Sequence, residues 1–117
     1  MPLHLFAGLR VRNFNAARPW YEQLLGEPTF FPHDTEAVWT LAEHRSVYVV
    51  EHAVAGGSVA TIFVDDLDAH MAAIAARGLE PDEIENYPNG VRKAVYRDPD
   101  GNELGLAGRP GNGGSWS

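Results

Sequence analysis

Asp98-Pro99-Asp100-Gly101-Asn102 stands between two runs of β-formers, residues 91–97 and 103–107. Pro99 presets φ at the second position of a turn, the two aspartates bond to nearby backbone, and Gly101 supplies a positive φ. Two such runs joined by a short glycine-containing turn predict a β-hairpin. The turn also sets the register of the strand that follows it, and so decides which of its side chains point inward.

Upstream of the hairpin, residues 58–64 form a β-branched strand and Asp65 and Asp66 offer a helix cap. Residues 67–77 are helical, with Leu67, Met71 and Ile74 on one face, and Gly78 stops them. A strand follows at 81–84, and Tyr87-Pro88-Asn89-Gly90 is turn chemistry. The first half has the same order. A strand at 5–12 leads to a cap at Asn13 or Asn15 and a helix at 16–25, where Ala17, Trp20 or Tyr21, and Leu24 fall at helical spacing. Pro19 is expected near its first turn and Gly26 at its end. Strands at 28–32, 36–42 and 46–52 follow, then a small-residue linker at 53–57. With an offset of about 53 residues, Val11 falls on Val64, Ala16 on Ala69, Glu27 on Glu80 and Pro28 on Pro81. Each half is therefore β-α-β-β-β. One helix covers only one face of a four-stranded sheet, so two halves can place their helices outside and line a cleft with their inner faces.

The size of the chain, 117 residues of which 44% are hydrophobic, suits one soluble domain. Its apolar runs are too short to span a bilayer, and Met1-Pro2-Leu3-His4 does not open a signal peptide, so a cytoplasmic location is expected. With no cysteine there is no disulfide, thiolate ligand or thiol nucleophile. Nine basic residues against sixteen acidic ones leave a net charge of −7, which disfavours nucleic acid and anionic membranes as partners and mildly favours a cationic ligand.

The repeated halves, Val11-Arg12-Asn13-Phe14-Asn15 before a helix containing Trp20-Tyr21 and ending Leu24-Leu25-Gly26, and Tyr96-Arg97-Asp98-Pro99-Asp100-Gly101-Asn102 together resemble the vicinal oxygen chelate superfamily of glyoxalases, bleomycin-resistance proteins and extradiol dioxygenases. The resemblance covers residues 3–108. It implies an α+β fold in which two βαβββ repeats, about 3–52 and 58–108, form a curved eight-stranded mixed sheet around a cleft with helices outside. Residues 1–108 are then a single domain and 109–117 a flexible tail. It also implies a homodimer.

Members of that family that do metal chemistry place a His or carboxylate on the first strand of a half and a carboxylate, usually Glu, on the last. A divalent ion needs such ligands to converge. Carried onto this sequence, the slots are Phe6, Tyr48, Val59 and Gly105. None is His, Asp or Glu, so the resemblance is to the metal-free branch, with no cofactor. A displaced site drawn from His4, His52 and Glu103, on the same strand faces as those slots, is the rival arrangement.

A cleft without ligands is left with rings. Phe6 and Tyr48 stand where ligands would, Trp39 could add a flat surface, Val59 and Gly105 leave room, and Glu103 supplies an anionic contact at the rim. Such a surface suits an aromatic or cationic organic molecule, bound by stacking and cation–π contacts. The expected function is metal-independent binding of a small molecule, an antibiotic or metabolite, by sequestration. The alternatives are a lyase, isomerase or dioxygenase-type enzyme with the displaced metal, and an accessory domain for a partner protein. Parity alone does not say whether Arg92 or Lys93 faces the cleft.

Overall fold

The computed structural model describes residues 3–109. The tail expected at 109–117 lies, beyond Arg109, outside the described residues. Among the described residues, two helices and eight strands follow one another as βαβββ and again βαβββ, and the strands form two four-stranded sheets. The chain divides into two compact units, one made of residues up to Ser58 together with Asp98–Asn102, the other of Val59–Arg97 and the residues from Glu103 onward.

In the first unit, β1 (Leu5–Val11) leads into α1 (Phe14–Leu25), and β2 (Phe30–His33), β3 (Glu36–Ala42) and β4 (Arg45–Glu51) complete the sheet in the order β1-β4-β3-β2. β1 runs parallel to β4; the other pairs are antiparallel. Alternation sends Leu9, Val11, Ala37, Trp39, Val47 and Val49 to the helix side, where they are buried with Phe14, Ala17, Tyr21 and Leu24 of α1. Asn13 caps α1, its side chain accepting the Ala16 N–H at 3.0 Å. The helix thus begins two residues before the expected 16, and Pro19 stands inside it rather than near its first turn. The carbonyl of Asn15 loses its helical partner there, but Asn15 is exposed and water can replace the bond.

The second unit repeats the plan with β5 (Val59–Phe63), α2 (Leu67–Ala76), β6 (Glu83–Asn86), β7 (Arg92–Arg97) and β8 (Glu103–Gly108), in the order β5-β8-β7-β6. Asp66 caps α2 through the Ala69 N–H at 3.0 Å. Leu67 and Ile74 are buried, together with Ala94, Tyr96, Leu104 and Leu106 on the facing side of the sheet. No helix among the described residues is long and apolar enough to cross a membrane.

The two strands that differ most from expectation are β2 and β6, expected at 28–32 and 81–84. Both are edge strands, and both expected starts are prolines, which have no N–H to give a ladder. Pairing begins one residue later in each case, with Thr29 N–H on the Val38 carbonyl at 2.7 Å and Asp82 N–H on the Val95 carbonyl at 2.8 Å.

Asp98–Asn102 closes a hairpin through a three-residue loop: Gly101 N–H donates to the Asp98 carbonyl at 3.1 Å, Asp98 N–H donates to the Asn102 carbonyl at 2.9 Å, and Gly101, the residue that ends the turn, takes a left-handed φ of 87°. The segment is also part of the first unit's interior. Asn102 is fully buried; its Nδ2 donates to the Arg10 carbonyl at 2.7 Å, and its Oδ1 accepts the Ser58 N–H at 3.0 Å. Asp98 Oδ1 accepts the N–H groups of Asp100 and Asn102 at 2.9 and 2.8 Å. Asp100 Oδ1 accepts the Arg12 N–H at 3.2 Å. Each polar atom taken out of water here has a partner, which is the condition for burying a carboxylate at low cost.

Candidate functional site

Each sheet has one face without a helix, and strand parity decides what stands on it. On the first sheet the register pairs Phe6 with Ser46, Gly8 with Tyr48, and Tyr48 with Val38, so these side chains share that face. Phe6 is 55% exposed, and its ring lies 6.1 Å from that of Tyr48 at an angle of 60°. Tyr48 lies flat across Gly8, where a Cβ would run into the phenol ring. The two residues thus form a continuous aromatic surface on a sheet face, a shape suited to stacking.

Trp39 is not part of that surface. It pairs with Val47, one position out of phase with Tyr48, and so points to the helix side. It is 2% exposed, packs against Tyr21 with ring centroids 6.2 Å apart, and its indole N–H donates to the Gly26 carbonyl at 2.9 Å. The expectation that Trp39 would touch ligand is corrected by this parity: it is a core residue.

On the second sheet, Val59, Thr61 and Phe63 of β5 share the helix-free face with Glu103, Gly105 and Ala107 of β8 and with Lys93, Val95 and Arg97 of β7. Parity, left open for Arg92 and Lys93 in the sequence, is settled. Arg92 turns to the helix side and pairs with Asp68 at 3.3 Å, while Lys93 stands on the free face. Its stem crosses Gly105, where a Cβ would lie 3.0 Å from Lys93 Cδ. Val59 is 68% exposed. Glu103 is on the same face, but its carboxylate is engaged by Arg97 at 3.4 Å, and Arg97 also holds Glu83 at 2.7 Å. The two carboxylates raise the Arg97 pKa further above its ordinary value, Glu83 through the hydrogen bond foremost.

Beside these residues the second unit carries a cavity of about 700 Å³, lined among others by Thr61, Phe63, Tyr87, Asn89, Val91 and Lys93. That volume is in the range of small-molecule sites. Its outer wall is the Tyr87–Val91 turn, pinned by Tyr87 N–H to the Val91 carbonyl at 2.9 Å and Gly90 N–H to the Tyr87 carbonyl at 3.0 Å. Tyr87 Oη donates to Glu85 Oε1 at 2.5 Å, which draws the Glu85 pKa down and pushes the Tyr87 phenol up. From the sequence, Val59 alone of the Val59-Thr61-Phe63 series stands out, and Tyr87–Gly90 is turn chemistry. Extending the strand parity from Val59 finds Phe63; nothing local announces that the turn closes a cavity.

The residues at the metal-ligand slots do not fit a divalent ion: a phenyl, a valine and a glycine have no donor atom, and a phenol is a poor one. His4 sits against His44, Nδ1 to Nδ1 3.2 Å, and His52 turns back on Val54, with Nδ1 3.0 Å from its backbone nitrogen. Among the described residues no three His, Cys, Asp or Glu side chains gather so as to hold a metal ion.

The sequence profile of the Glyoxalase/Bleomycin resistance protein/Dioxygenase superfamily matches residues 3–106. A solved structure of a glyoxalase/bleomycin resistance protein from Catenulispora acidiphila is 50% identical over 93% of this chain and 100% of its own, with a TM-score of 0.88. More distant structures share the fold. A bleomycin-binding protein complexed with bleomycin is 19% identical over 92% of this chain and 99% of its own, TM-score 0.70. Lactoylglutathione lyase from Agrobacterium tumefaciens is 16% identical over 92% and 94%, TM-score 0.72. No curated protein matches the chain. A binder and a lyase stand side by side in this comparison, so the fold does not choose between them.

Proposed function

The chain belongs to the Glyoxalase/Bleomycin resistance protein/Dioxygenase superfamily, and from that premise we propose that it is a small-molecule-binding protein that acts by sequestration, without a metal. The observation that carries this reading is the cavity of about 700 Å³ on the second unit, with Phe63, Tyr87 and Lys93 among its lining residues. Aromatic walls with few polar groups favour a planar organic ligand. Val59, Gly105 and Glu103 stand on the same sheet face and are proposed as further contacts there. On the first unit the proposal rests on Phe6 and Tyr48 as a stacking surface. An antibiotic held in this way would be kept from its target with no bond made or broken.

The proposal includes a cytoplasmic homodimer. Within each unit, β1 and β5 are edge strands, and they carry the exposed apolar side chains Leu5 and Phe6, and Val59 and Phe63. A second copy is one way to cover such edges; sedimentation equilibrium at micromolar concentration tests it, and a monomer at all concentrations refutes it.

Binding is tested by calorimetry with bleomycin and a panel of planar aromatic molecules, before and after exhaustive dialysis against EDTA. Saturable binding that survives EDTA, with the ligand recovered chemically unchanged, is the expected result. Turnover of the ligand, or affinity that returns only with added divalent metal, overturns the reading.

A further inference from the structure

We propose that the cavity of the second unit is built for a planar organic anion, an aromatic carboxylate or phenolate, with the Lys93 ammonium as its counter-ion. This rests on the binding reading above and adds the charge of the ligand. It runs against the whole-chain charge of −7, which taken alone favours a cation. Net charge governs the long-range field, whereas a bound group answers to the atoms that touch it.

Among the residues lining the cavity, Lys93 is the one that carries a charge. Its position is fixed rather than swept through solvent. The stem lies over Gly105, which has no side chain to lift it, with Cδ and Cγ 3.0 and 3.3 Å from where a Cβ would be, and the side chain is 17% exposed. The ammonium stands 3.5 Å from Glu85 Oε1. That same oxygen already receives the Tyr87 hydroxyl at 2.5 Å, so Glu85 divides its charge between two neighbours. An ammonium has three N–H groups, and one shared carboxylate oxygen does not exhaust them.

The neutral groups of the cavity point the same way. Asn89 spends its Oδ1 on the Val91 N–H at 3.1 Å, which leaves its amide N–H groups to offer. The Tyr87 hydroxyl hydrogen is spent on Glu85, while Thr61 brings a hydroxyl. Lys93 and Asn89 together make a donor-rich lining between the rings of Phe63 and Tyr87. A ligand with a flat apolar body and an anionic oxygen satisfies both the rings and the donors. A cationic ligand would meet an ammonium on the cavity floor, with Glu85 already shared.

The test uses the full chain and three probes with one aromatic body: 2-naphthoate, 2-naphthylmethanol and 2-naphthylmethylammonium. Affinities are read by calorimetry, and the site by NMR shifts of Phe63 and Tyr87. We expect naphthoate to bind about tenfold or more tightly than the alcohol, the range a charge-assisted hydrogen bond supplies, and the amine to bind weakest. Lys93→Met keeps the stem and removes the charge; it should bring naphthoate down to the level of the alcohol. Lys93→Arg should keep the order. Equal affinities, or the amine tightest, with shifts at Phe63 and Tyr87 overturn the charge assignment and leave the binding reading standing. No binding by any probe, or shifts only elsewhere, overturns both. Should Lys93→Met fail to fold, the order of the three probes on the unaltered chain decides.

Discussion

Tyr21 and Asp98 lie 77 positions apart in sequence, and the phenol of one donates to Oδ2 of the other at 2.5 Å in the buried interior of the first unit. The same carboxylate oxygen accepts Asn102 Nδ2 at 2.9 Å, while its other oxygen takes two backbone N–H groups of the turn. Tyr21→Phe should therefore cost about 1–3 kcal/mol, the range for depriving a buried charged acceptor of one donor. Asp98→Ala should cost more, because it strands the Tyr21 hydroxyl, the Asn102 amide and two backbone donors at once. Urea denaturation monitored by far-UV circular dichroism measures both, and equal losses would refute this ordering.

The tyrosines also set the alkaline limit of stability. Burial first, and then the bond to Asp98, push the Tyr21 phenol well above its ordinary value, and burial with the charge of Glu80 pushes Tyr96 up to about 12. A tyrosine in the unfolded chain ionises near its ordinary pKa of about 10, while these stay protonated in the fold. Above that pH the unfolded state binds fewer protons than the folded one, so stability falls as pH rises. The contribution is fully present below about pH 10 and is lost through the folded values. Denaturation midpoints should thus drop as pH rises from about 10 to about 12, and Tyr21→Phe should flatten the slope.

Tyr96 differs from Tyr21 in one respect. Its hydroxyl is buried on the helix side of the second sheet without a hydrogen-bond partner among the described residues. Tyr96→Phe removes an unsatisfied polar atom and keeps the ring, so it should stabilise the protein, by about 1 kcal/mol. Thermal unfolding read by calorimetry decides; a lower melting temperature would show that the hydroxyl is bonded in solution.

Phe6→Ala and Tyr48→Ala test the first unit's aromatic face. Phe6 is 55% exposed, so its loss should cost under about 1 kcal/mol of stability. Each substitution should weaken severalfold the binding of planar aromatics to this face, read by NMR shifts of the ring that remains, Tyr48 or Phe6, with the fold intact. If both variants bind as the unaltered chain does, that face is not a contact surface.

Gly105→Ala probes the second unit by a different route. The added methyl would lie 3.0 Å from Lys93 Cδ and must lift the stem. Naphthoate should bind more weakly while the neutral alcohol is little affected, and stability should fall by about 1–3 kcal/mol from overpacking. Calorimetric titration of the two probes separates this from a general loss of the cavity.

The architecture was legible because its signals are local and repeated. Asn13 and Asp66 cap helices, Gly101 closes a hairpin, and the recurrence of Glu27-Pro28 as Glu80-Pro81 exposes the duplication. The bounds of β2 and β6 were not legible, since an edge strand answers to one neighbour only and a proline delays its first bond. The slots that the family resemblance implied, Phe6, Tyr48, Val59 and Gly105, lie by strand parity on helix-free faces, as does Glu103. The same parity, applied to β3, would have put Trp39 in the core; a large ring invites a functional reading that its register forbids. That Lys93 and not Arg92 stands on the free face was not legible for another reason. Its place depends on the absence of a side chain at Gly105, on the neighbouring strand twelve residues away, and no pattern within β7 carries that information.

Because the Arg10 carbonyl waits for an amide 92 positions later, the amino-terminal unit cannot finish its interior while only its own stretch of chain exists. A ribosome must deliver the chain at least through Asn102 before that unit can close. Domains commonly fold as each emerges; here completion is deferred until Asp98 and Asn102 have been added, and a nascent chain halted before Asp98 would leave the Tyr21 hydroxyl without its carboxylate acceptor.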